Sequence, residues 1–154
     1  MKRLIVFILI VILLCLTNLS LTKDLNLANI FPKSQVEVFT DSLSGLNYKK
    51  MQNGSGEIIF CDVEELNNIL KQTDKMVGFT LKIENEEVKS VLKKINAQNT
   101  YYKNYGFYGW SKILNEIFKI KNNKVQMFDG VVNFQALQKE NDVILGFPII
   151  LGSY

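Results

Sequence analysis

The sequence predicts an α+β domain in which a mostly antiparallel sheet carries two or three helices on one face, behind an apolar N-terminal helix. Hairpin turn signals near both ends of the domain, with strand-helix-strand order between them, predict the sheet and its helices. The chain of 154 residues has two prolines and no long glycine-serine or charged tract that would separate two domains. We therefore expect a single α+β domain over residues 35–154, preceded by a linker over residues 23–34.

The first residues of the chain predict export. Two basic residues precede an apolar run that extends, with polar interruptions, over residues 4–21. Such a start is typical of a secretory signal, and at about 1.5 Å per residue a helix of this length also approaches the roughly 30 Å hydrocarbon core of a bilayer. Only Ser20-Leu21-Thr22 offers small residues for cleavage, which favours retention. Residues 1–22 are thus predicted to be a membrane anchor with the domain outside the cell membrane, or else a signal peptide of a secreted protein.

The domain is predicted to open with three short strands. Apolar and polar residues alternate over residues 35–40, which is typical of a strand. Residues 48–52 and 58–61 follow as two more strands, and the turn signal Asn53-Gly54-Ser55-Gly56 between them predicts a hairpin.

Two amphipathic helices separated by a strand are predicted next. Asp62 is expected to cap a helix that runs to about residue 72, with Glu65 at capping-box spacing. The second helix is expected to begin at Asn85, since apolar residues recur after it at positions i, i+3, i+4 and i+7. The expected apolar faces are Val63, Leu66, Ile69 and Leu70 in the first helix, Val88, Val91, Leu92 and Ile95 in the second, and Val77, Phe79, Leu81 and Ile83 in the strand between them.

The last third of the chain predicts further strands around one short helix. Residues 99–108 are expected to form one aromatic strand, and Ser111 to open a helix that carries Ile113, Leu114, Ile117 and Phe118. The expected strands after it cover residues 125–128, 131–137 and 142–149, with turns at Asp129-Gly130 and Glu140-Asn141.

Charge and composition exclude several classes of function. The formal net charge is +3, and without the two basic residues of the leader the domain is nearly neutral, so we expect no nucleic-acid partner. Histidine is absent, which removes Ser-His and Cys-His catalysis and histidine-ligated metals. No EF-hand loop is present, and Asn53-Gly54-Ser55-Gly56 is too short for a phosphate loop. We therefore expect no metal, no cofactor and no catalytic residues.

Cys61 is the only cysteine outside the leader, so no disulfide within the domain is expected. It ends the apolar run Ile58-Ile59-Phe60-Cys61, where a buried and unreactive thiol is expected.

The aromatic stretch 101–110 is the most unusual part of the sequence, with six aromatic residues in ten positions. Such side chains could form a platform for sugar rings or peptide side chains. Counting by twos places Tyr102, Tyr108 and Trp110 on one face, so these three are the candidate binding residues. The alternative is an ordinary aromatic strand that buries half of these side chains in the core.

Acidic residues cluster at the two predicted helix starts, where they complement the helix dipole. They are Asp62, Glu64, Glu65, Glu84, Glu86 and Glu87. A glycan-acting enzyme would instead need two carboxylates that face each other across a cleft.

Two segments near the carboxyl end share a pattern with a known family: residues 131–138, with Asn133 and Gln135, and residues 143–150, with Gly146 and Pro148. In these segments the chain resembles the YwmB-like family of exported proteins of low-GC Gram-positive bacteria. It implies an α+β architecture similar to the saddle of the TATA-box-binding protein, without implying DNA binding. It brings no established activity and no functional residues.

Together these observations predict an exported or membrane-anchored, non-enzymatic domain that binds an envelope protein or a cell-wall component, with the membrane contacted through residues 4–21. The alternative is a cell-envelope enzyme that acts on glycan through carboxylates. A third possibility is an assembly element whose edge strand pairs with a partner strand.

Overall fold

The computed structural model describes residues 26–42, 44–73, 76–117, 125–127 and 130–152. In these ranges no helix has both the length and the apolar character needed to cross a bilayer. The expected anchor or signal peptide over residues 1–22 lies outside the described residues.

The described residues form an α+β fold, as the sequence predicts. The helices are α1 (Leu27–Ile30), α2 (Val63–Gln72), α3 (Val88–Lys94) and α4 (Lys112–Ile117). The strands are β1 (Gln35–Thr40), β2 (Lys49–Asn53), β3 (Gly56–Asp62), β4 (Met76–Ile83), β5 (Ala97–Lys103), β6 (Gly106–Ser111), β7 (Val125–Met127), β8 (Gly130–Val132), β9 (Phe134–Lys139) and β10 (Asp142–Phe147).

Eight of the strands form one antiparallel sheet in the order β2-β3-β1-β4-β10-β9-β6-β5, and β7 pairs with β8 separately. Each end of the large sheet is a hairpin that leads directly into a helix: β2-β3 into α2, and β5-β6 into α4. The outermost strands are therefore β2 and β5.

The hydrophobic core lies between the helices and one face of the sheet. The aromatic rings of Phe79 and Phe147 stack at its centre, with centroids 5.4 Å apart. Burying a side chain of this size contributes about 1.5–3 kcal/mol. The buried helix residues belong to the same cluster as alternate residues of the strands, among them Val36, Val38, Ile59, Leu81, Ala136, Val143 and Leu145. The strands thus keep the alternation that the sequence shows.

The segment expected to be a linker is part of the domain from Asn26 onwards. Asn26 Oδ1 accepts a hydrogen bond from the Ala28 N–H at 3.1 Å and caps α1. Leu27 and Phe31 are buried in the core, with 1% and 2% exposure. This short helix closes one side of the hydrophobic core.

The single aromatic strand expected over residues 99–108 is instead a hairpin of β5 and β6. Asn104 and Tyr105 form its two-residue turn and both have positive φ, 48° and 65°. Asparagine tolerates that conformation, but a tyrosine gives no turn signal in a sequence. The expectation was wrong because the strand-like aromatic composition continues through the turn.

The strand expected over residues 131–137 is divided at Asn133, which is fully buried. Its amide Oδ1 accepts from the Ser111 N–H, and its Nδ2 donates to the Ser111 carbonyl oxygen, both at 2.8 Å. The Asn133 N–H donates to the carbonyl oxygen of Gly109 at 3.0 Å. Asn133 thus joins the start of β9 to the end of β6.

Two of the helix starts are fixed differently from the prediction. Asp62 occupies the N-cap position of α2, but its side chain makes no capping hydrogen bond, and the Val63 N–H donates to the Ser34 carbonyl oxygen at 2.9 Å. Helix α3 begins at Val88 rather than Asn85, and the Val88 N–H donates to Gln138 Oε1 of β9 at 2.8 Å. Residues distant in sequence, Ser34 before β1 and Gln138 in β9, therefore bond to the first N–H groups that local capping residues were expected to satisfy.

Val77 does not share the buried face predicted for it. The pairing of β1 with β4 shifts between Phe39 and Thr40, so that Val77 lies at an irregularity and is 50% exposed. Phe79, Leu81 and Ile83 are buried as predicted.

Candidate functional site

The candidate site is the face of the sheet opposite the helix-packed core, named here the open face. One row of cross-strand neighbours crosses it from edge to edge: Lys49, Phe60, Glu37, Thr80, Gly146, Gln135, Tyr108 and Tyr101. Each of these residues belongs to a different strand, so the row gathers side chains that are far apart in the sequence.

The carboxyl-terminal residues 148–152, named here the tail, cross the middle of the open face. The Ile150 N–H donates to Gln135 Oε1 at 3.1 Å. Thr80 Oγ1 accepts from the Leu151 N–H at 3.2 Å and donates to the Leu151 carbonyl oxygen at 3.0 Å. The last predicted strand therefore ends at Phe147, and the chain turns back over the sheet.

A glycine makes room for the tail. A Cβ atom on Gly146 would lie 2.2 Å from the Ile150 nitrogen, a distance that real side chains do not reach. The tail thus lies directly on the sheet backbone and divides the open face into two regions.

The first region holds a groove of about 350 Å³ over β1, β3 and β4, here called the groove, which also reaches Val36, Cys61 and Glu65 on the helix side of the sheet. Its lining combines an aromatic ring with groups of both charges and with polar uncharged groups. The lining residues are Gln35, Val36, Glu37, Lys49, Phe60, Cys61, Asp62, Glu65, Thr80 and Lys82. Its volume lies in the range of small-ligand sites.

The two lysines of the groove differ in their contacts. Lys49 Nζ lies 5.8 Å from the centroid of the Phe60 ring. Lys82 Nζ lies 3.2 Å from Asp142 Oδ2 and 3.5 Å from Glu84 Oε1. The hydrogen bond and charge of Asp142 are the main reasons why the pKa of Lys82 is raised. Lys82 is therefore held at one end of the groove as a cation.

The second region contains two of the three predicted binding residues. Tyr108 and Trp110 lie on the open face, two residues apart in β6. Tyr108 is buried beneath this surface, stacks on Tyr101 with centroids 5.6 Å apart, and accepts a hydrogen bond from Gln135 Nε2 at 2.9 Å. Trp110 is partly exposed.

Tyr102 lies on the opposite face of the sheet from Tyr108 and Trp110. It pairs with Phe107 across the hairpin, with ring centroids 5.0 Å apart, and is 61% exposed. A two-residue turn pairs an even-numbered residue with an odd-numbered one, so counting by twos through the turn gives the wrong face. The predicted trio is therefore not a single platform.

Cys61 lines the groove but is held as a neutral thiol. Burial, and then the charges of Glu65 and Asp62, raise the pKa of Cys61 to about 12. The thiolate, which is the reactive form, is thus scarce near neutral pH. The side chain is half-buried, somewhat more exposed than predicted.

Glu57 is a buried carboxylate outside the groove. It lies on β3, faces the helix side of the sheet and is 2% exposed. Its Oε1 accepts from the Ser44 N–H at 2.8 Å and from the Ser44 hydroxyl, and its Oε2 lies 3.3 Å from Lys50 Nζ. Burial alone would raise the pKa of Glu57, but the hydrogen bonds from Ser44 and Lys50 and the charge of Lys50 outweigh it and lower that pKa. Glu57 therefore anchors the loop before β2 as an ionised group.

Sequence reasoning missed the groove. Glu37 and Phe60 belong to strands that were predicted, and their outward positions follow from the alternation. Nothing in the sequence shows that β1 lies between β3 and β4, and this order brings their side chains together.

Within the described ranges, no three Cys, Asp or Glu side chains are grouped closely enough to hold a metal ion. Comparison of the chain with protein-family models, with curated proteins and with solved structures gives no match. The resemblance to the YwmB-like family and to the saddle of the TATA-box-binding protein therefore stays a prediction.

Proposed function

We propose that the chain is a non-enzymatic binding domain of the cell envelope that holds a cell-wall glycan or its peptide on the open face. The observation that carries this proposal is the groove, where Phe60, Glu37 and Lys49 come together on three adjacent strands. The apolar leader over residues 4–21 supports the envelope location in this proposal.

The composition of the groove suits a wall polymer. Sugar and peptide units present an apolar surface beside polar and charged groups, and the groove offers an aromatic ring, carboxylates, two ammonium groups and a hydroxyl. Trp110 extends the same face on the other side of the tail and could carry a further unit of a long ligand.

The test is cosedimentation of the full-length chain, in mild detergent, with purified wall sacculi. Phe60→Ala and Trp110→Ala should each weaken binding about tenfold, which corresponds to about 1.4 kcal/mol. Tyr102→Ala is the matched control, because Tyr102 is an exposed aromatic residue on the opposite face, and it should bind like the unmodified chain. Thermal unfolding checks that each variant is folded.

Two results would contradict this proposal. The first is that sacculi do not retain the folded chain; capture of an envelope protein by the same residues would then assign the open face to a protein ligand. Equal weakening by Tyr102→Ala and Phe60→Ala would show that the open face is not the binding surface.

One observation favours a glycan-acting enzyme as a second candidate. Glu37 and Asp62 both line the groove, and the register places them diagonally on neighbouring strands. The backbones of such neighbours are about 7–8 Å apart, and their side chains lie on one face, so the two carboxyl groups are within reach of the roughly 6.5–9.5 Å separation of inverting glycosidases. Release of soluble sugar from sacculi, abolished by Glu37→Gln or Asp62→Asn, would establish this activity. Binding without release would exclude it.

A further inference from the structure

The outermost strand β2 has the features of a pairing edge. All five of its residues, Lys49–Asn53, are exposed, and among the described strands it pairs with β3 alone. Met51, at its centre, is 54% exposed and lies on the open face.

Lysines on an edge strand usually prevent pairing with another chain because their charge must be desolvated. Here both lysines of β2 contact residues of the neighbouring strand β3 in their own chain. Lys50 Nζ lies 3.3 Å from Glu57 Oε2, and Lys49 Nζ lies 5.8 Å from the centroid of the Phe60 ring. The main-chain edge of β2 is therefore not protected by their charges.

The opposite edge of the sheet is different. The pairing of β5 with β6 shifts between Gln98 and Tyr101, and Asn99 within this bulge has a positive φ of 50°. A bulge of this kind interrupts the regular row of main-chain groups and disfavours pairing. The structure thus has one interrupted edge and one regular edge.

The register shows which main-chain groups of β2 are available. In an antiparallel pair, residues alternate between those that bond to the neighbouring strand and those that point away from it. The Glu57 N–H points away from β2, because it donates to Thr40 Oγ1 at 3.2 Å. Gln52 lies opposite Glu57 in the β2-β3 pair, so Gln52 directs its own N–H and carbonyl oxygen away from β3, to the free edge. By the same alternation, Lys50 does so as well.

We propose that β2 pairs antiparallel with β2 of a second copy of this chain, about a two-fold axis that passes between the two Met51 residues. Lys50 of each copy then exchanges main-chain hydrogen bonds with Gln52 of the other. The two open faces lie on the same side of one continuous sheet, so that the two copies present their grooves together.

The charges of β2 are compatible with this register. Each lysine faces an uncharged residue: Lys49 lies opposite Asn53, and Lys50 opposite Gln52. The two Lys50 residues are diagonal neighbours, and Glu57 of each copy neutralises its own Lys50. Met51 lies opposite Met51, which buries its exposed apolar surface. The short interface predicts a weak dimer, with a dissociation constant in the micromolar range or above.

Cysteine cross-linking of the full-length chain in mild detergent tests the register. In a background with Cys15→Ala and Cys61→Ala, Met51→Cys should form a disulfide-linked dimer under mild oxidation, because directly opposed residues lie within disulfide reach. Gln52→Cys is the matched control: two Gln52 positions are diagonal in this register and beyond that reach, so little dimer should form. Equal cross-linking of the two variants would overturn the proposal.

A second variant tests the hydrogen bonds themselves. Gln52→Pro removes the outward N–H while leaving the donors that bond to β3. In the background without added cysteines, sedimentation equilibrium over a concentration series should show a dimer that this variant abolishes. An unchanged dimer fraction in the folded variant, or a dimer lost only when the leader is altered, would also overturn the proposal. Neither result depends on wall binding, so the test is independent of the proposed function.

Discussion

At the scale of single residues, buried polar groups fix the loops of this domain. The side-chain amide of Asn133 accepts from the Ser111 N–H and donates to the Ser111 carbonyl oxygen. Ser111 Oγ also accepts from the Leu114 N–H at 3.1 Å and donates to the Ile95 carbonyl oxygen at 2.6 Å. A buried group without a partner costs about 1–3 kcal/mol, so these contacts determine which loop conformation is stable. The Glu57 carboxylate has the same role for the loop that contains Ser44.

The lowered pKa of Glu57 predicts a pH-dependent contribution to stability. Because the pKa of Glu57 is lower in the folded chain than in the unfolded chain, its carboxylate stabilises the fold. This contribution is complete above the unfolded pKa of about 4.3 and is lost as the pH falls through the lower, folded pKa. Glu57→Gln should therefore lower the free energy of unfolding at pH 7 by about 1–3 kcal/mol, and the difference from the unmodified chain should shrink below about pH 4.

Urea unfolding of both chains between pH 3 and pH 7 measures this difference. Glu87→Gln, at an exposed position without a side-chain capping bond, is the control and should change the free energy by less than about 0.5 kcal/mol. A constant difference across the pH range would show that the Glu57 charge does not contribute.

At the scale of elements, the start of one helix depends on the sheet. The first amide of α3 is capped by Gln138 of β9. The two hydrogens of Gln138 Nε2 are shared among the carbonyl oxygens of Glu86, Glu140 and Asp142, at 3.0–3.2 Å. One side chain thus ties a helix, a hairpin turn and the start of a strand together.

Gln138→Ala should lower the free energy of unfolding by about 1 kcal/mol, which is typical for the loss of a helix cap. Amide exchange in α3 should accelerate more than exchange in α2, because only α3 loses its cap. Hydrogen exchange measured by mass spectrometry, with Gln72→Ala at the exposed end of α2 as the control, tests this. Equal acceleration in both helices would indicate general destabilisation instead.

At the scale of the whole molecule, the tail connects the two halves of the sheet. It is held by Thr80 of β4 and Gln135 of β9, which lie on either side of β10. Since β10 joins the strands of the first half to those of the second, the tail reinforces the junction that determines the shape of the open face.

Gly146→Ala should displace the tail, because the added methyl group would occupy the position of the Ile150 backbone. The amides of Ile150 and Leu151 should then lose protection from hydrogen exchange, and the free energy of unfolding should fall by about 1–3 kcal/mol. Gly54→Ala is the control: it strains a turn with a positive φ of 63°, but nothing lies within 4 Å of the added methyl group, so it should lower stability without exposing the tail amides. Unchanged protection of the tail in Gly146→Ala would contradict the observed packing.

The sequence by itself determined the α+β class and the existence of most elements. Alternation of apolar residues over 35–40 and 76–83 and the three-and-four spacing in α2 and α3 are local properties, and local properties survive in any arrangement of the elements. Where a turn lacked a signal, as at Asn104-Tyr105, the same reasoning failed and placed Tyr102 on the wrong face.

Only the tertiary structure decided the order of the strands, and with it the candidate site. The groove and the tail contacts join residues that are far apart in the chain, such as Glu37 with Phe60 and Thr80 with Leu151. Such contacts depend on which strands are neighbours, and the pattern within a strand fixes which face a side chain takes but not which strand lies beside it. For this physical reason the open face could be described only from the folded chain.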